Sequence, residues 1–333
     1  MIMVRNGVFE AGTEQEPYSS KLTITLHGEK YDPTIPIYGN KVLGIRYSTL
    51  DLHGQNRSDS WTHLEYTASS GDSQITLIKE VDWVVGDKIM ITSTSFDRNE
   101  AEERTIAALF NMNGKTMIFL DAAIDFDHYA AIDSYGASDS IEIRAEVALM
   151  SRNVIFQGDS DSLANEYGAH ILIHAPGDNT NIGRISNVQF QNVGQFGQLG
   201  RYPVHFHMDG KVHDSYVMNN VFLNSVNRGT TLHGVQYLRI IGNVYYNTRG
   251  HTIFVEDGVE TRNRVEYNLV IKTEPSFSLL NTDSTPACFW LTNPNNILVG
   301  NVCAGSEHYG FWYDLVPSPT GPSATSTRCP INE

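Results

Sequence analysis

The alternation of apolar and polar residues along the chain is organised around one short phrase that returns. An Asn followed by Val or Leu occurs six times, at intervals of 34, 33, 23, 25 and 33 residues. These phrases are Asn153-Val154, Asn187-Val188, Asn220-Val221, Asn243-Val244, Asn268-Leu269 and Asn301-Val302. A second short apolar segment follows each phrase, as in YPVHFHM (202–208). A period of roughly 20 to 50 residues, with strand-like segments and no helical periodicity, predicts that each repeat is one coil of a parallel β-helix.

The recurring asparagine has a physical role in such a coil. At a corner, an Asn tolerates a left-handed backbone, and its side-chain amide can bond to the equivalent Asn of the next coil. We therefore predict an asparagine ladder along the solenoid. The fold class that follows is all-β, a right-handed parallel β-helix with a strand-rich capping module at its N-terminal end.

The module boundary is set by a change of pattern. Residues 1–140 contain alternating segments that break at Gly, such as KLTITLHG (21–28), and this predicts a separate β module. Residues 141–333 are expected to form the β-helix repeats, as a fragment of a longer chain. The junction IEIRAEVALMSRNVIFQG (141–158) has no linker-like composition, so the module is expected to stack on the helix and cap it.

Composition and charge exclude several classes of partner. The chain has 41% hydrophobic and 18% charged residues, which indicates a globular protein. A net charge of −15 argues against nucleic acid as a partner, and no apolar run is long enough to span a bilayer. A polyanionic glycan would need a local basic patch or a bridging cation. Of the three cysteines, Cys288 and Cys303 fall in successive segments and could pair, which leaves Cys329 over.

Histidines and carboxylates gather on one predicted face of consecutive coils. Period-2 alternation along YPVHFHMDG (202–210) points Met208 inward and leaves His205, His207 and Asp209 on the outer face.

The same alternation places His233 and Glu256 outward on the next two coils. Because coils stack at roughly 4.8 Å, His207 and His233 should be neighbours, with Asp209 and Glu256 near the end of the row. These four side chains could hold a divalent cation, for which imidazoles favour zinc and carboxylates favour calcium. In an enzyme, His207, His233 and Glu256 could supply the acid and the base. Alternatively, the stacked side chains only hydrogen-bond along the solenoid.

Three arginines each precede a strand and could form a basic row. Arg201, Arg228 and Arg249, together with His205, are the candidate ligand-binding residues for an acidic glycan. The alternative is that the arginines pair with the many carboxylates. Asn56 begins an Asn-Arg-Ser acceptor in a polar turn and is a candidate glycosylation site if the protein is secreted.

Several longer phrases resemble a known family. VFEAGTEQEPYSSKLTITLHG (8–28) and DWVVGDKIMITSTSF (82–96) resemble the eight-glycine domain of the fibrocystin-L family. That family is related to the cell-migration-inducing and transmembrane hyaluronidases. GRYPVHFHMDG (200–210) and GHTIFVEDGVETRN (250–263) resemble the parallel β-helix that follows the domain in the same proteins, and GFWYDLVPSPTGPS (310–323) resembles its next coil.

The resemblance implies an extracellular structural or recognition module, on the cell surface or in the matrix. Its partner would be an acidic or neutral glycan or another surface protein, with membrane contact only through parts of the protein outside this chain. The alternative is a cation-dependent, hyaluronidase-like or lyase-like depolymerase of polysaccharide. In the hyaluronidase branch a separate domain interrupts the first module soon after the SWT phrase, whereas SWTHLEYTASSGDSQITLIKEVDWVVGD (60–87) runs straight through here. This continuity favours the non-catalytic module and leaves an enzymatic activity as the open alternative.

Overall fold

The computed structural model of the protein, described over residues 1–136, 138–277 and 281–325, divides the chain into two compact units. Unit 1 comprises Met1–Asn56 together with Arg152–Glu333, and unit 2 is Arg57–Ser151. The chain therefore does not divide at the predicted boundary of residue 140, because the strands before Asn56 pair with strands that follow Arg152. Cys329, for which the sequence offered no partner, lies outside the described residues.

Unit 1 begins with the first two coils of the solenoid. Their strands are β1 (Ile2–Arg5), β2 (Val8–Ala11), β3 (Leu22–Leu26), β4 (Val42–Arg46) and β5 (Thr49–His53). Each of these strands is paired in parallel with its equivalent in a neighbouring coil.

Unit 2 is built from antiparallel strands and has its own apolar core, which includes Trp83, Ile89 and Val147. Its strands are β6 (Trp61–His63), β7 (Gln74–Leu77), β8 (Lys88–Ile91), β9 (Glu102–Met112), β10 (Lys115–Leu120), β11 (Ala130–Tyr135), β12 (Asp139–Arg144) and β13 (Glu146–Leu149), with a 3₁₀ helix at Arg98–Glu100. Six of them form one sheet, and β11 pairs with β12 in a second, two-stranded sheet.

The remaining coils of unit 1 follow in sequence. Their strands are β14 (Val154–Gly158), β15 (His170–His174), β16 (Ile182–Ser186), β17 (Val188–Val193), β18 (Val204–Lys211), β19 (Tyr216–Met218), β20 (Val221–Ser225), β21 (Thr230–Gln236), β22 (Arg239–Ile241), β23 (Val244–Arg249), β24 (Ile253–Val255), β25 (Arg264–Glu266), β26 (Leu269–Glu274), β27 (Ala287–Leu291), β28 (Ile297–Val299), β29 (Val302–Ser306) and β30 (Tyr309–Tyr313). Two 3₁₀ helices lie at Asn281–Ser284 and Gly321–Thr325.

Three long parallel sheets make unit 1 a parallel β-helix, as predicted. Their strand orders are β1-β4-β15-β18-β21-β24-β27-β30, β2-β5-β16-β19-β22-β25-β28 and β3-β14-β17-β20-β23-β26-β29. Every third strand returns to the same sheet, so each coil contributes one strand to each. No helix of the described residues is both long and apolar enough to cross a membrane.

The core of unit 1 is formed by equivalent residues stacked along the solenoid. Phe156, Phe190, Phe222 and Tyr245 occupy one register position on successive coils. The rings of Phe190 and Phe222 stack at a centroid distance of 4.6 Å, and those of Phe222 and Tyr245 at 4.5 Å. Each coil thus buries its apolar residues mainly against its two neighbours, as a solenoid requires.

The asparagine ladder is present and runs through four consecutive coils. Asn220 donates from its backbone N–H and its side-chain amide to Oδ1 of Asn243, which in turn donates in the same way to Asn268. Asn268 donates likewise to Asn301, and each of these bonds is 3.0 Å or 2.9 Å long. The four phrases were therefore assigned to equivalent corners correctly.

The backbone at these corners differs from the prediction. The left-handed residue is the one before the ladder Asn, as at Asn219 (φ 55°), Gly242 (φ 67°) and Tyr267 (φ 52°). Asn187 is itself left-handed (φ 55°) and bonds to Asn56 and Ser186, so it is not a ladder member.

Cys288 and Cys303, whose pairing the sequence left open, are joined in the structure. The two form a disulfide with a Cα–Cα distance of 5.9 Å, between β27 and β29. Cys288 is fully buried in the core of the solenoid, so this bond links two sheets of the last coils from the inside.

Candidate functional site

A row of histidines crosses the sheet that contains β15, β18, β21 and β24. His174, His207 and His233 occupy the same register position on three successive coils. The ring centroids of His207 and His233 lie 4.7 Å apart, and those of His174 and His207 lie 4.8 Å apart. The sequence placed His207 beside His233 by strand alternation, but His174 was not included in the row.

A β-bulge moves the next two residues away from this row. The register between β18 and β21 shifts after His207, where Met208 has a left-handed backbone (φ 59°). Met208 is consequently outside the apolar core that the alternation predicted for it. Asp209 is fully buried and accepts a hydrogen bond of 2.7 Å from the side-chain amide of Asn181.

Asp209 is therefore not part of the candidate metal site. Its predicted outward direction depended on strict alternation, which the bulge interrupts. Burial raises the pKa of its carboxyl to about 7, despite the hydrogen bonds that it accepts from Asn181 and His207.

Of the four predicted ligands, His233 and Glu256 are brought together, and His205 is the third residue of the cluster. One ligand atom each from His205, His233 and Glu256 lies within 4.8 Å of the others. His205 is almost fully buried, and its Nδ1 lies 3.0 Å from the carbonyl oxygen of Gly200. Since a carbonyl can only accept, Nδ1 carries the hydrogen and Nε2 presents its lone pair. This Nε2 has no hydrogen-bond partner, and burial keeps the pKa of His205 well below its usual value.

His233 lies between two carboxylates. Its Nε2 is 2.6 Å from Oδ2 of Asp257, and its Nδ1 is 3.3 Å from Oε2 of Glu256. Burial alone would favour the neutral ring, but the bond to Asp257 and the charge of Glu256 raise the pKa of His233 to about 9. Burial raises the pKa of Glu256, whose Oε2 makes no hydrogen bond despite its closeness to His233.

His207 has the opposite electrostatic character. Burial, together with the positive charges of His233 and His174, lowers its pKa to about 3. Its Nδ1 lies 2.8 Å from Nδ1 of His174, so one of these two nitrogens donates to the other. The row therefore holds a neutral imidazole directly beside one that retains its proton.

A cavity of about 350 Å³ opens onto these groups. Its walls combine apolar and polar residues, namely Ile37, Leu172, Leu199, Gly200, Arg201, His205, His207, His233, Glu256, Asp257, Gly321 and Pro322. A concave, partly apolar site with a few convergent polar groups and shifted pKa values has the general character of a ligand pocket.

The three predicted arginines differ in their burial and in their ion-pair partners. Arg228 is buried and makes a two-point ion pair with Asp283, so it is a structural residue and not a ligand contact. Arg249 is half-exposed and paired with Glu166. Arg201 alone of the three lines the cavity, and its guanidinium packs over Gly39, which has no side chain to exclude it.

Asp257 and the segment around Gly321 were not among the site residues predicted from the sequence. Alternation along the strand would point Asp257 into the core, but β24 ends at Val255 and the chain turns there. The sequence signal that could have identified Asp257 was the Glu256-Asp257 pair at the end of a strand, next to the predicted histidine row. Gly321 and Pro322 lie in Pro-rich sequence, where no pattern predicts a position.

The CEMIP beta-helix family model matches residues 166–333, half of the chain, and the G8 domain model matches residues 1–65. Fibrocystin-L of Mus musculus is 35% identical over 367 residues, covering 99% of this chain and 9% of that protein. Protein rliB of Dictyostelium discoideum is 31% identical over 336 residues, covering 95% of this chain and 29% of that protein.

Among solved structures, the gp54 tailspike of Acinetobacter baumannii bacteriophage AP22, in complex with capsular saccharide, aligns with 90% of this chain and 45% of its own. The identity is 11% and the TM-score 0.24, so this similarity carries no functional argument. The family-model matches and the similarity to these relatives agree with the observed coils and asparagine ladder and with the sequence phrases described above. The chain belongs to the CEMIP beta-helix family and carries the G8 domain that it shares with Fibrocystin-L.

Proposed function

We propose that this chain is an extracellular recognition module that binds a divalent cation and an acidic glycan in the cavity at His205, His233 and Glu256. The observation that carries the proposal is the convergence of His205 Nε2 and Glu256 Oε2, two buried polar atoms without hydrogen-bond partners, on one cavity. A buried polar group without a partner costs about 1–3 kcal/mol, and a bound ligand would remove that cost.

The donor set favours zinc over calcium. Two imidazole nitrogens and one carboxylate oxygen are typical of zinc sites that keep an open position, whereas calcium takes six to eight oxygen ligands. The ligand atoms lie within 4.8 Å of one another, and a bound zinc would draw them closer, because its bonds to imidazole are about 2.0–2.1 Å long. The hydrogen bond from His205 to Gly200 fixes the tautomer that presents Nε2 to a metal.

Arg201 favours an acidic sugar as the ligand. It lines the cavity, and among the described residues no carboxylate makes an ion pair with it. Burial lowers the pKa of its guanidinium, so an anion brought next to it would restore the stability of its charge. A carboxylate on a sugar ring would accept two hydrogen bonds from a guanidinium.

Two further features support an extracellular location. The buried disulfide between Cys288 and Cys303 is typical of proteins that fold in an oxidising compartment. Asn56 is exposed, and its Nδ2 is available for a glycan while Oδ1 accepts from Asn187. We retain Asn56 as the proposed glycosylation site.

The test of this function measures the two ligands in turn. Zinc chloride and calcium chloride are titrated into the full chain by calorimetry, and a uronic-acid polymer and a neutral polymer are then titrated into the zinc-loaded and chelated protein. We expect saturable zinc binding that is lost in His205→Ala and retained in Asp209→Asn. Zinc binding that is unchanged in His205→Ala would contradict the proposed site.

A second candidate function is a cation-dependent polysaccharide depolymerase. It is favoured by the adjacent rings of His207 and His233, because one is held neutral and the other protonated. Neighbouring titratable groups with pKa values pushed apart are the arrangement that acid–base catalysis requires. In that case His207, His233 and Glu256 would share the acid, base and metal-binding roles, and the metal would polarise an oxygen of the substrate.

The two candidate functions differ in whether the protein cleaves the polymer that it binds. The protein is incubated with hyaluronan and with pectin-type polymers, with and without a chelator, and new chain ends are counted. The recognition module predicts binding without new ends. Sustained cutting that the chelator and His207→Ala both abolish would establish the depolymerase instead.

A further inference from the structure

The segment that follows the last strand returns across the cavity. Residues 314–325, here called the strap, leave β30 and end in the 3₁₀ helix Gly321–Thr325. Most of the strap is exposed, but Ser323 is buried, and Gly321 and Pro322 form part of the cavity wall.

The C-terminal part of the strap is hydrogen-bonded to Asp257. The backbone N–H of Thr320 donates to the carbonyl of Asp257 at 2.9 Å, and the N–H of Ser323 donates to its Oδ2 at 3.1 Å. Gly321 lies directly against the carboxylate: a Cβ added at that position would come within 2.4 Å of Asp257 Oδ1. Gly321 also has a left-handed backbone (φ 53°), which few other residues adopt without strain.

The same carboxylate oxygen of Asp257 contacts His233. Oδ2 receives the Ser323 N–H on one side and Nε2 of His233 on the other, at 2.6 Å. His233 Nδ1, the opposite ring atom, faces Glu256. The orientation of Nδ1 toward the candidate metal position is therefore fixed by Asp257, and the orientation of Asp257 is fixed by the strap.

We propose that the strap positions Asp257 and through it His233, so that residues 320–323 set the affinity of the cavity for a metal ion. This inference rests on the proposed metal site and adds the element that controls it. Metal-ligating histidines commonly donate their second N–H to a carboxylate, and losing such a partner lowers metal affinity about 10–100-fold. Here the partner is held in place by the backbone of a segment far away in sequence.

Gly321→Ala is the variant that tests the strap. The added methyl group must displace either the strap or the Asp257 carboxylate. Gly300→Ala is the matched control, because Gly300 is also left-handed (φ 61°) and its Cβ would also clash, with Tyr267, but it does not line the cavity. In a calorimetric titration with zinc chloride, we expect Gly321→Ala to raise the Kd about tenfold and Gly300→Ala to leave it unchanged.

A double-mutant cycle separates positioning from a general loss of stability. If the strap acts through Asp257, Gly321→Ala should have little further effect in the Asp257→Asn background. If Gly321→Ala does not fold, Thr320→Pro removes the N–H that binds the Asp257 carbonyl and gives the same test.

The outcomes distinguish the two proposals. Zinc binding by the wild type with an unchanged Kd in Gly321→Ala overturns the role of the strap and leaves the metal site standing. Equal and additive effects of Gly321→Ala in both backgrounds also overturn it. No zinc binding by the wild type overturns the metal site and the inference together.

Discussion

Oδ1 of Asn243 accepts two hydrogen bonds from Asn220, one from the backbone N–H and one from the side-chain amide, each 3.0 Å long. Nδ2 of Asn243 donates to the carbonyl of Val217 and to Asn268. Its side chain thus satisfies donors and acceptors of three coils at a position with no solvent exposure. A residue that matches Asn in size but lacks its polar atoms cannot replace it.

Replacing Asn243 with Leu should therefore destabilise unit 1. The change leaves the backbone N–H of Asn220 and the carbonyl of Val217 without partners, and we expect a loss of about 1–3 kcal/mol in the free energy of unfolding. Denaturant unfolding measures the loss. Asn295→Leu is the control, since this residue is exposed and should change the stability little. An unchanged midpoint for Asn243→Leu would contradict the ladder.

The features predictable from the sequence are those set by the repeat. The Asn-Val phrase gives the phase of the coils from Asn220 onward, so the ladder from Asn220 to Asn301 follows from counting residues. The neighbouring positions of His207 and His233 follow from the stacking of their strands. Strand alternation then identifies the face. Both sequence patterns are local, and the parallel stacking of coils repeats them along the solenoid.

The features that could not be predicted depend on departures from that regularity. The bulge at Met208 reverses the direction of Asp209, and a sequence pattern of period two contains no sign of it. The return of the strap to Asp257 is a contact between residues 66 positions apart in loop sequence. The first two coils were not predicted from the sequence, because residues 57–151 separate them from the coils that carry the repeated phrase.

The buried carboxyl of Asp209 should make stability depend on pH. Its pKa is raised from 3.8 to about 7 by burial, so the folded protein keeps this proton over a range in which the unfolded chain has released it. Where the native state binds more protons than the unfolded state, stability falls as pH rises. The contribution of Asp209 is therefore lost progressively from about pH 4 to pH 7, on the order of 4 kcal/mol in total.

Asp209→Asn removes this dependence while it keeps the acceptor for Asn181. We expect the variant to match the wild type near pH 4 and to be the more stable protein at pH 8, in urea unfolding at a series of pH values. Asp178→Asn is a control of opposite sign. Burial would raise the pKa of Asp178, but its hydrogen bonds with Thr180 and Arg46 lower it, so this variant should lose stability at neutral pH. If the free energy of unfolding changed with pH in the same way in Asp209→Asn and in the wild type, the pKa of Asp209 would not be raised.

Arg201 should carry the preference for acidic glycans. A hydrogen bond to a charged group contributes about 1.5–3 kcal/mol, so Arg201→Gln should weaken binding of a uronic-acid polymer by at least about tenfold. Binding of a neutral polymer should be unaffected. Arg249→Gln is the control, because Arg249 is already paired with Glu166 and does not line the cavity. Equal losses for the two variants would indicate a general effect of surface charge.

The first two coils should decide whether the solenoid folds. In a chain that begins at Arg152, β14, β15 and β16 lose their partners β3, β4 and β5, and the apolar residues Leu43, Ile45 and Leu52 no longer cover the core. Unpaired parallel strands with an open apolar core associate with one another, so residues 152–333 should aggregate.

A chain that retains residues 1–56 and joins them to residue 152 by a short Gly-Ser linker should remain soluble. The residues to be joined lie close together at one corner of unit 1, where the N–H of Gln55 donates to Oδ1 of Asn153 at 2.8 Å. Unit 2 has its own core, and none of its strands contributes to the three parallel sheets. Size-exclusion chromatography and thermal unfolding compare the two chains. A soluble, cooperatively unfolding 152–333 chain would show that the coils formed by residues 1–56 are dispensable, whereas aggregation of both chains would show that unit 2 is required as well.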